Sequence, residues 1–117
     1  MNKTLRVTLL VLFLSLAGLQ SSDAVGVRIV KISAKKFEYA PSDIVLKRGV
    51  PVIFQLTTED RSHGFNVPLL AVRADIIAGK VTEVQINPQK SGEFDFFCDV
   101  FCGSGHEAMS GRIRVVD

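Results

Sequence analysis

Residues 44–56 read IVLKRGVPVIFQL, two short β-branched runs separated by the turn Lys47-Arg48-Gly49. Val, Ile and Phe suit a pleated, half-buried surface, and Gly49 supplies the turn. Pro51 stands near the start of the second run, where a missing N–H is tolerated. The same plan repeats outward. Upstream lie Val27 to Ser33, rich in Val and Ile, and the alternating Phe37-Glu38-Tyr39 before the turn Pro41-Ser42-Asp43. Downstream, the polar loop Thr57 to Ser62 leads to His63, which opens the run Gly64 to Val67 ahead of Pro68. Val72 to Ile77, the alternating Val81 to Ile86, the aromatic Phe94 to Cys98 and finally Arg112 to Val116 follow, with Gly79, Asn87-Pro88 and Ser91-Gly92 marking turns between them. Turn signals at spacings of about 8 to 12 residues, with no apolar stripe of helical period, predict an all-β chain. The expected fold is a Greek-key β-sandwich or barrel of seven or eight short strands. Phe37, Phe54, Phe94 and Phe96 are its expected large core fillers.

The 117 residues leave room for one domain. A composition 47% hydrophobic and 22% charged is that of a folded chain. The beginning differs from the rest: Lys3 and Arg6 form a basic head, Val7 to Leu19 is an apolar run softened by Thr8 and Ser15, and Gln20 to Ala24 is small and polar. That order predicts a secretory signal peptide over 1–24, cut after Ala24, with the folded domain over 25–117. The run is shorter than the roughly 20 apolar residues of a spanning helix; left uncut, it acts as an N-terminal anchor. The expected location is extracytoplasmic or periplasmic, membrane-tethered if the leader stays. Two cysteines in such an oxidising compartment have a disulfide as their ordinary use. Without 1–24 the chain loses Lys3, Arg6 and Asp23 and keeps one more basic residue than acidic. Lys35-Lys36 and Lys47-Arg48 are isolated pairs rather than a basic stripe, so nucleic acid is not an expected partner.

Both cysteines, one of the two histidines and the only methionine beyond the initiator fall between Cys98 and Met109: Cys98, Cys102, His106 and Met109. The second histidine, His63, follows a different predicted strand end. Thiolate, imidazole and thioether form a soft donor set that suits copper and not calcium or magnesium. Gly103 and Gly105 let the chain bend after Cys102, so that Cys102, His106 and Met109 curl towards one point. Each residue also has a plain structural reading: a Cys98–Cys102 disulfide, a core Met109, a surface His63. Together those readings need five separate coincidences at ligand spacing. Zinc fits less well, because finger-type sites pair their histidines after a spacer; here one histidine precedes the first cysteine by 35 residues and the other follows the second by four.

At these residues the sequence resembles a known family. Cys98-x3-Cys102-Gly103-x2-His106-x2-Met109 is similar to the binuclear copper A motif of cytochrome c oxidase subunit II and nitrous oxide reductase. Ser62-His63-Gly64-Phe65-Asn66-Val67-Pro68, with Leu70, Val72-Arg73, Asp75, Ile77 and Gly79, resembles the subunit II segment bearing the first histidine ligand. Phe37-x-Tyr39-x-Pro41-x2-Ile44-x-Leu46-x2-Gly49 looks like the opening strands of cupredoxins. The resemblance spans about Phe37 to Val116. It implies two copper ions bridged by the Cys98 and Cys102 thiolates, with His63 and His106 as terminal ligands, Met109 as a weak ligand and the Val100 carbonyl as a further one.

The family position at Val100 is usually Glu in oxidases, where it reaches a magnesium ion beside the catalytic subunit; Val100 has no such reach. The sequence also contains no Trp, the residue through which many oxidases receive electrons, and no helical hairpin. These departures set the chain apart from conventional oxidase subunits; with both histidines assigned as ligands and none spare for catalysis, the implied role is an electron relay with no bond-making chemistry of its own. Its partners would be a redox donor such as a cytochrome c or another cupredoxin and, in an oxidase, the membrane catalytic subunit. Phe65, Phe97 and Phe101 are expected to exclude water from the ligands. Two competing readings remain: a copper-handling protein (a chaperone or single-copper cupredoxin), and a thiol–disulfide protein using Cys98 and Cys102.

Overall fold

The computed structural model describes residues 26–117; the expected leader, 1–24, lies outside them. Nine strands follow one another: β1 (Arg28–Lys35), β2 (Glu38–Ala40), β3 (Asp43–Lys47), β4 (Val52–Thr58), β5 (His63–Val67), β6 (Val72–Ile76), β7 (Thr82–Ile86), β8 (Gly92–Phe97) and β9 (Ser110–Val116). That is one more than the upper expectation, because Glu38–Ala40 pairs with the end of β1 as a short strand of its own. The only helical pieces among the described residues are two three-residue 3-10 turns, Pro68–Leu70 and His106–Ala108.

The strands form two sheets, ordered β2-β1-β4-β7 and β3-β9-β8-β5-β6. The chain changes sheet between β2 and β3, β3 and β4, β4 and β5, β6 and β7, and β7 and β8, which yields a two-sheet β-sandwich. Two pairings are parallel, β1 with β4 and β3 with β9; the others are antiparallel. Because side chains alternate along a strand, each contributes every second residue to the space between the sheets. Val30, Ile32 and Ala34 of β1, with Val52, Phe54 and Leu56 of β4, face Ile44 and Leu46 of β3, Phe94 and Phe96 of β8, and Ile113 and Val115 of β9.

Three of the four expected core phenylalanines are buried, but Phe37 is 37% exposed. It lies between β1 and β2, outside the alternation, and Tyr39 takes the inward place beside it. The Tyr39 ring meets Phe65 and Phe96 edge-on, at centroid separations of 6.3 and 5.0 Å.

Candidate metal centre

The period-2 rule that builds the core also builds the site. On β5, His63 belongs to the same inward series as Phe65 and Val67, so an imidazole ends a row of core side chains. On β8, Phe94 and Phe96 point inward, and Cys98 continues their series one residue past the strand end. The Cys98 N–H donates to the Met109 carbonyl at 3.1 Å, extending the β8–β9 pairing beyond Phe97 and Ser110. That bond brings the two ends of the Cys98-to-Met109 loop together. The loop closes through the 3-10 turn at His106–Ala108, whose backbone bonds include His106 N–H to the Gly103 carbonyl at 3.2 Å.

A ring nitrogen of His63 and the two cysteine sulfurs lie within 4.8 Å of one another, and all three residues are buried. Both cysteines are free thiols. Cys102 Sγ is 3.7 Å from His106 Nδ1 and 3.9 Å from Met109 Sδ. Cys98 Sγ donates to the Val100 carbonyl at 3.1 Å and receives the Gly64 N–H at 3.3 Å. All six residues singled out in the sequence (His63, Cys98, Val100, Cys102, His106 and Met109) therefore gather at one end of the sandwich. Met109 is wholly buried, whereas His106 is only half-buried.

One polar side-chain atom among the described residues is buried without a hydrogen-bond partner, His63 Nδ1. The other nitrogen, Nε2, donates to Asp60 Oδ1 at 2.7 Å. A carboxylate only accepts, so the bond calls for a proton on Nε2, and in the neutral imidazole Nδ1 is then a bare lone pair. An orphaned lone pair in an apolar interior costs free energy unless something binds it. With two thiols and a thioether as neighbours, the donor set fits a soft transition metal such as copper. Burial, followed by the neighbouring Cys98 thiol, pushes the Cys102 thiol above its ordinary value, with Arg61 pulling the other way. Burial and then Cys98 likewise raise the Tyr39 phenol, which stays protonated and donates to the Gly64 carbonyl at 2.6 Å.

Several supporting residues carried no recognisable sequence signal. Asp60 also accepts from the Lys36 and Arg61 backbone N–H groups at 2.7 and 2.6 Å. Desolvation alone would raise its carboxyl; the Lys36 N–H, His63 and the Arg61 N–H outweigh it and hold the group well below the usual carboxylate range. Phe37 covers the ligand loop: a Cβ at Gly105 would come within 2.7 Å of its ring, and one at Gly103, where φ is +138°, within 3.1 Å. Of the three phenylalanines expected to seal the ligands, only Phe65 is buried; Phe97 is 39% exposed and Phe101 69%. Phe97 occupies the outward place between Phe96 and Cys98, and Phe101 leans on the His106 ring at 5.8 Å between centroids. They border the site without closing it.

The sequence profile of the cupredoxin-like domain matches residues 6–113. The chain belongs to this family. Within it, this cupredoxin is 33% identical over 86 residues to cytochrome c oxidase subunit 2 of Thermus thermophilus, covering 74% of the chain and 64% of that protein. A second subunit 2 sequence from that organism is covered over 51% of its length, so the cupredoxin spans between half and two thirds of these relatives. Among solved structures, a heme-copper terminal oxidase dimer matches with a TM-score of 0.70 at 27% identity, over 78% of this chain and 66% of the other. The periplasmic domain of subunit II of the Bradyrhizobium japonicum cytochrome oxidase has the same fold, with a TM-score of 0.71 at 22% identity over 77% and 84% of the two chains. Among the described residues of this cupredoxin no helix is long and apolar enough to cross a membrane.

Proposed function

We propose that this cupredoxin is an exported electron-transfer domain that holds two copper ions in a copper A-type centre. The observation that carries the reading is the orphaned His63 Nδ1 beside two buried free thiols, with the second histidine and a buried thioether next to one of them. In this reading Cys98 and Cys102 would hold both metals through their thiolates, His63 and His106 would each hold one, and Met109 and the Val100 carbonyl would complete the set. When bound, the copper would supply reversible one-electron transfer.

The chain's own part is to hold and shield. Asp60 keeps the His63 proton on Nε2, so that Nδ1 is free for the metal. The sandwich fixes His63 at the start of β5 and Cys98 just past the end of β8, which limits ligand movement on redox change. Cys98 and Cys102 release their protons when a metal binds, since the thiolate is the ligand. Half-buried His106, with exposed Phe101 against its ring, would offer a way in for an electron.

Export rests on the pattern of residues 1–24, with 25–117 as the functional domain. The donor is a redox protein such as a cytochrome c or another cupredoxin. Kinship with subunit II supports an oxidase catalytic subunit as acceptor; Val100 in place of the usual Glu and the lack of Trp support a free carrier.

A second reading has its own support. His63, Cys98 and Cys102 by themselves form a compact buried triad, which suits a single copper in a copper-handling protein. Paramagnetic resonance of the reduced protein after copper loading separates the two. Hyperfine structure from two equivalent copper nuclei, with two coppers per chain, is expected; a single-nucleus pattern at one copper per chain refutes the binuclear centre.

A further inference from the structure

The ligand loop is tied to the edge of the five-stranded sheet by a contact that the copper reading does not use. Arg73 and Asp75 alternate along β6 and share its outward face. Arg73 Nη1 lies 2.7 Å from Asp75 Oδ1, which fixes the guanidinium. The rest of that group points away from β6: Nε donates to Asp99 Oδ2 at 2.8 Å and Nη2 to Asp99 Oδ1 at 3.1 Å. Asp99 is neither on β6 nor on its neighbour β5; it stands between Cys98 and Val100, beyond the end of β8.

The two side chains meet across β5 because position 64 has no side chain. Gly64 faces outward, opposite in sense to His63, yet it is buried. The Asp99 carboxylate lies over it: a Cβ at Gly64 would collide with Asp99 Oδ1 and come within 3.0 Å of the Asp99 backbone nitrogen. Beneath, the Gly64 N–H reaches Cys98 Sγ. The segment 98–100 is thus gripped from both faces of β5.

We propose that Arg73 is a positioning residue whose two-pronged grip on Asp99 holds the Cys98–Cys102 loop in its ligand-ready form before any metal arrives. An isolated exposed ion pair rarely does much. This one is bidentate, is braced by a second carboxylate, and ends on a side chain only 23% exposed, the features that make such pairs effective. Asp99 is flanked by a thiol and by the carbonyl facing it, so anchoring its carboxylate anchors both. The role rests on the metal-site reading for its purpose, but its physical effect exists in the metal-free protein.

The test uses the reduced, metal-free full chain and follows the reaction of its two thiols with a chromogenic aromatic disulfide. Arg73→Met is expected to speed that reaction by about tenfold, as the loop opens more often. Arg73→Lys, which keeps the charge but loses the fork, is expected to fall between Met and wild type. Asp99→Asn combined with Arg73→Met is expected to be no faster than the faster single variant, because the two residues act through one contact. Arg112→Met removes the pairs to Glu93 and Asp95 elsewhere on the same sheet and is expected to leave the rate unchanged. In parallel, Arg73→Met is expected to weaken copper binding about tenfold in competition with a chelator. Wild-type thiol rates in Arg73→Met, equal acceleration in Arg112→Met, or rates that multiply in the double variant would each overturn the proposal. Failure of the wild type to take up copper would instead count against the metal reading and leave the thiol comparison intact.

Discussion

Replacing Asp60 with Ala removes the only acceptor of the buried His63 Nε2–H. The imidazole is wholly inaccessible in the wild type, and a buried donor that loses its charged acceptor costs about 1–3 kcal/mol. The Lys36 and Arg61 N–H groups also lose Asp60, but they sit in an exposed loop where water replaces it at little cost. A net loss of about 2 kcal/mol is expected, equal to a fall of about 8–16 °C in Tm for a domain of this size. The same change frees the imidazole to move its proton to Nδ1 or to rotate. Copper affinity is therefore expected to drop about 10–100-fold, as for other partners of ligating histidines. Asp60→Asn supplies the decisive comparison, since its amide oxygen still accepts from Nε2–H; it should recover most of both losses. Calorimetry on the metal-free protein and chelator competition on the loaded one measure the two effects. If Asp60→Ala left both Tm and copper affinity unchanged, or if Asn were as damaging as Ala, the argument from the orphaned nitrogen would fail.

Cys98→Ser and Cys102→Ser are each expected to abolish two-copper binding; unchanged colour and stoichiometry in Cys102→Ser would show that it does not bridge. Gly111→Ala should destabilise the fold without touching a ligand. Gly111 lies opposite Phe96 on β9, and its new Cβ would run into that buried ring and stand 2.5 Å from the Ser42 carbonyl oxygen; about 1–3 kcal/mol is the expected cost, read as a lower midpoint in denaturant. Copper affinity should rise with pH. The Cys102 thiol is raised by burial and by Cys98, so around neutral pH copper must displace its proton, which contributes about a tenfold gain per pH unit. Competition titrations between about pH 6 and pH 8 check this, and a flat profile would refute it.

How far the sequence could be read depended on the range of the interactions involved. Alternation of apolar residues is a two-residue signal, and it located every strand to within a few positions, because each strand's core row (Phe94, Phe96 and Cys98, for example) is set by the pleat alone. The window Cys98 to Met109 was equally legible, since four soft donors separated by two glycines describe a tight loop whatever the surroundings. Contacts between distant segments left no such trace. Which way Phe37 turned depended on Gly103 and Gly105, more than sixty residues later, lying open beneath its ring. Phe97 and Phe101 looked like shielding residues next to their cysteines, but strand parity sends the first outward and the loop leaves the second on the surface.

The amino-acid sequence by itself determined an all-β sandwich and the chemical character of the centre, because both follow from residue type and local spacing. Tertiary structure decided how the centre is assembled. Only the pairing of β5 with β8 brings His63 to the two thiols across the sheet; only the β4–β5 loop sets Asp60 against its ring; and only a bare Gly64 lets Arg73 and Asp99 meet across the strand between them. Those arrangements depend on which strands become neighbours, a matter of three-dimensional packing that no local pattern encodes.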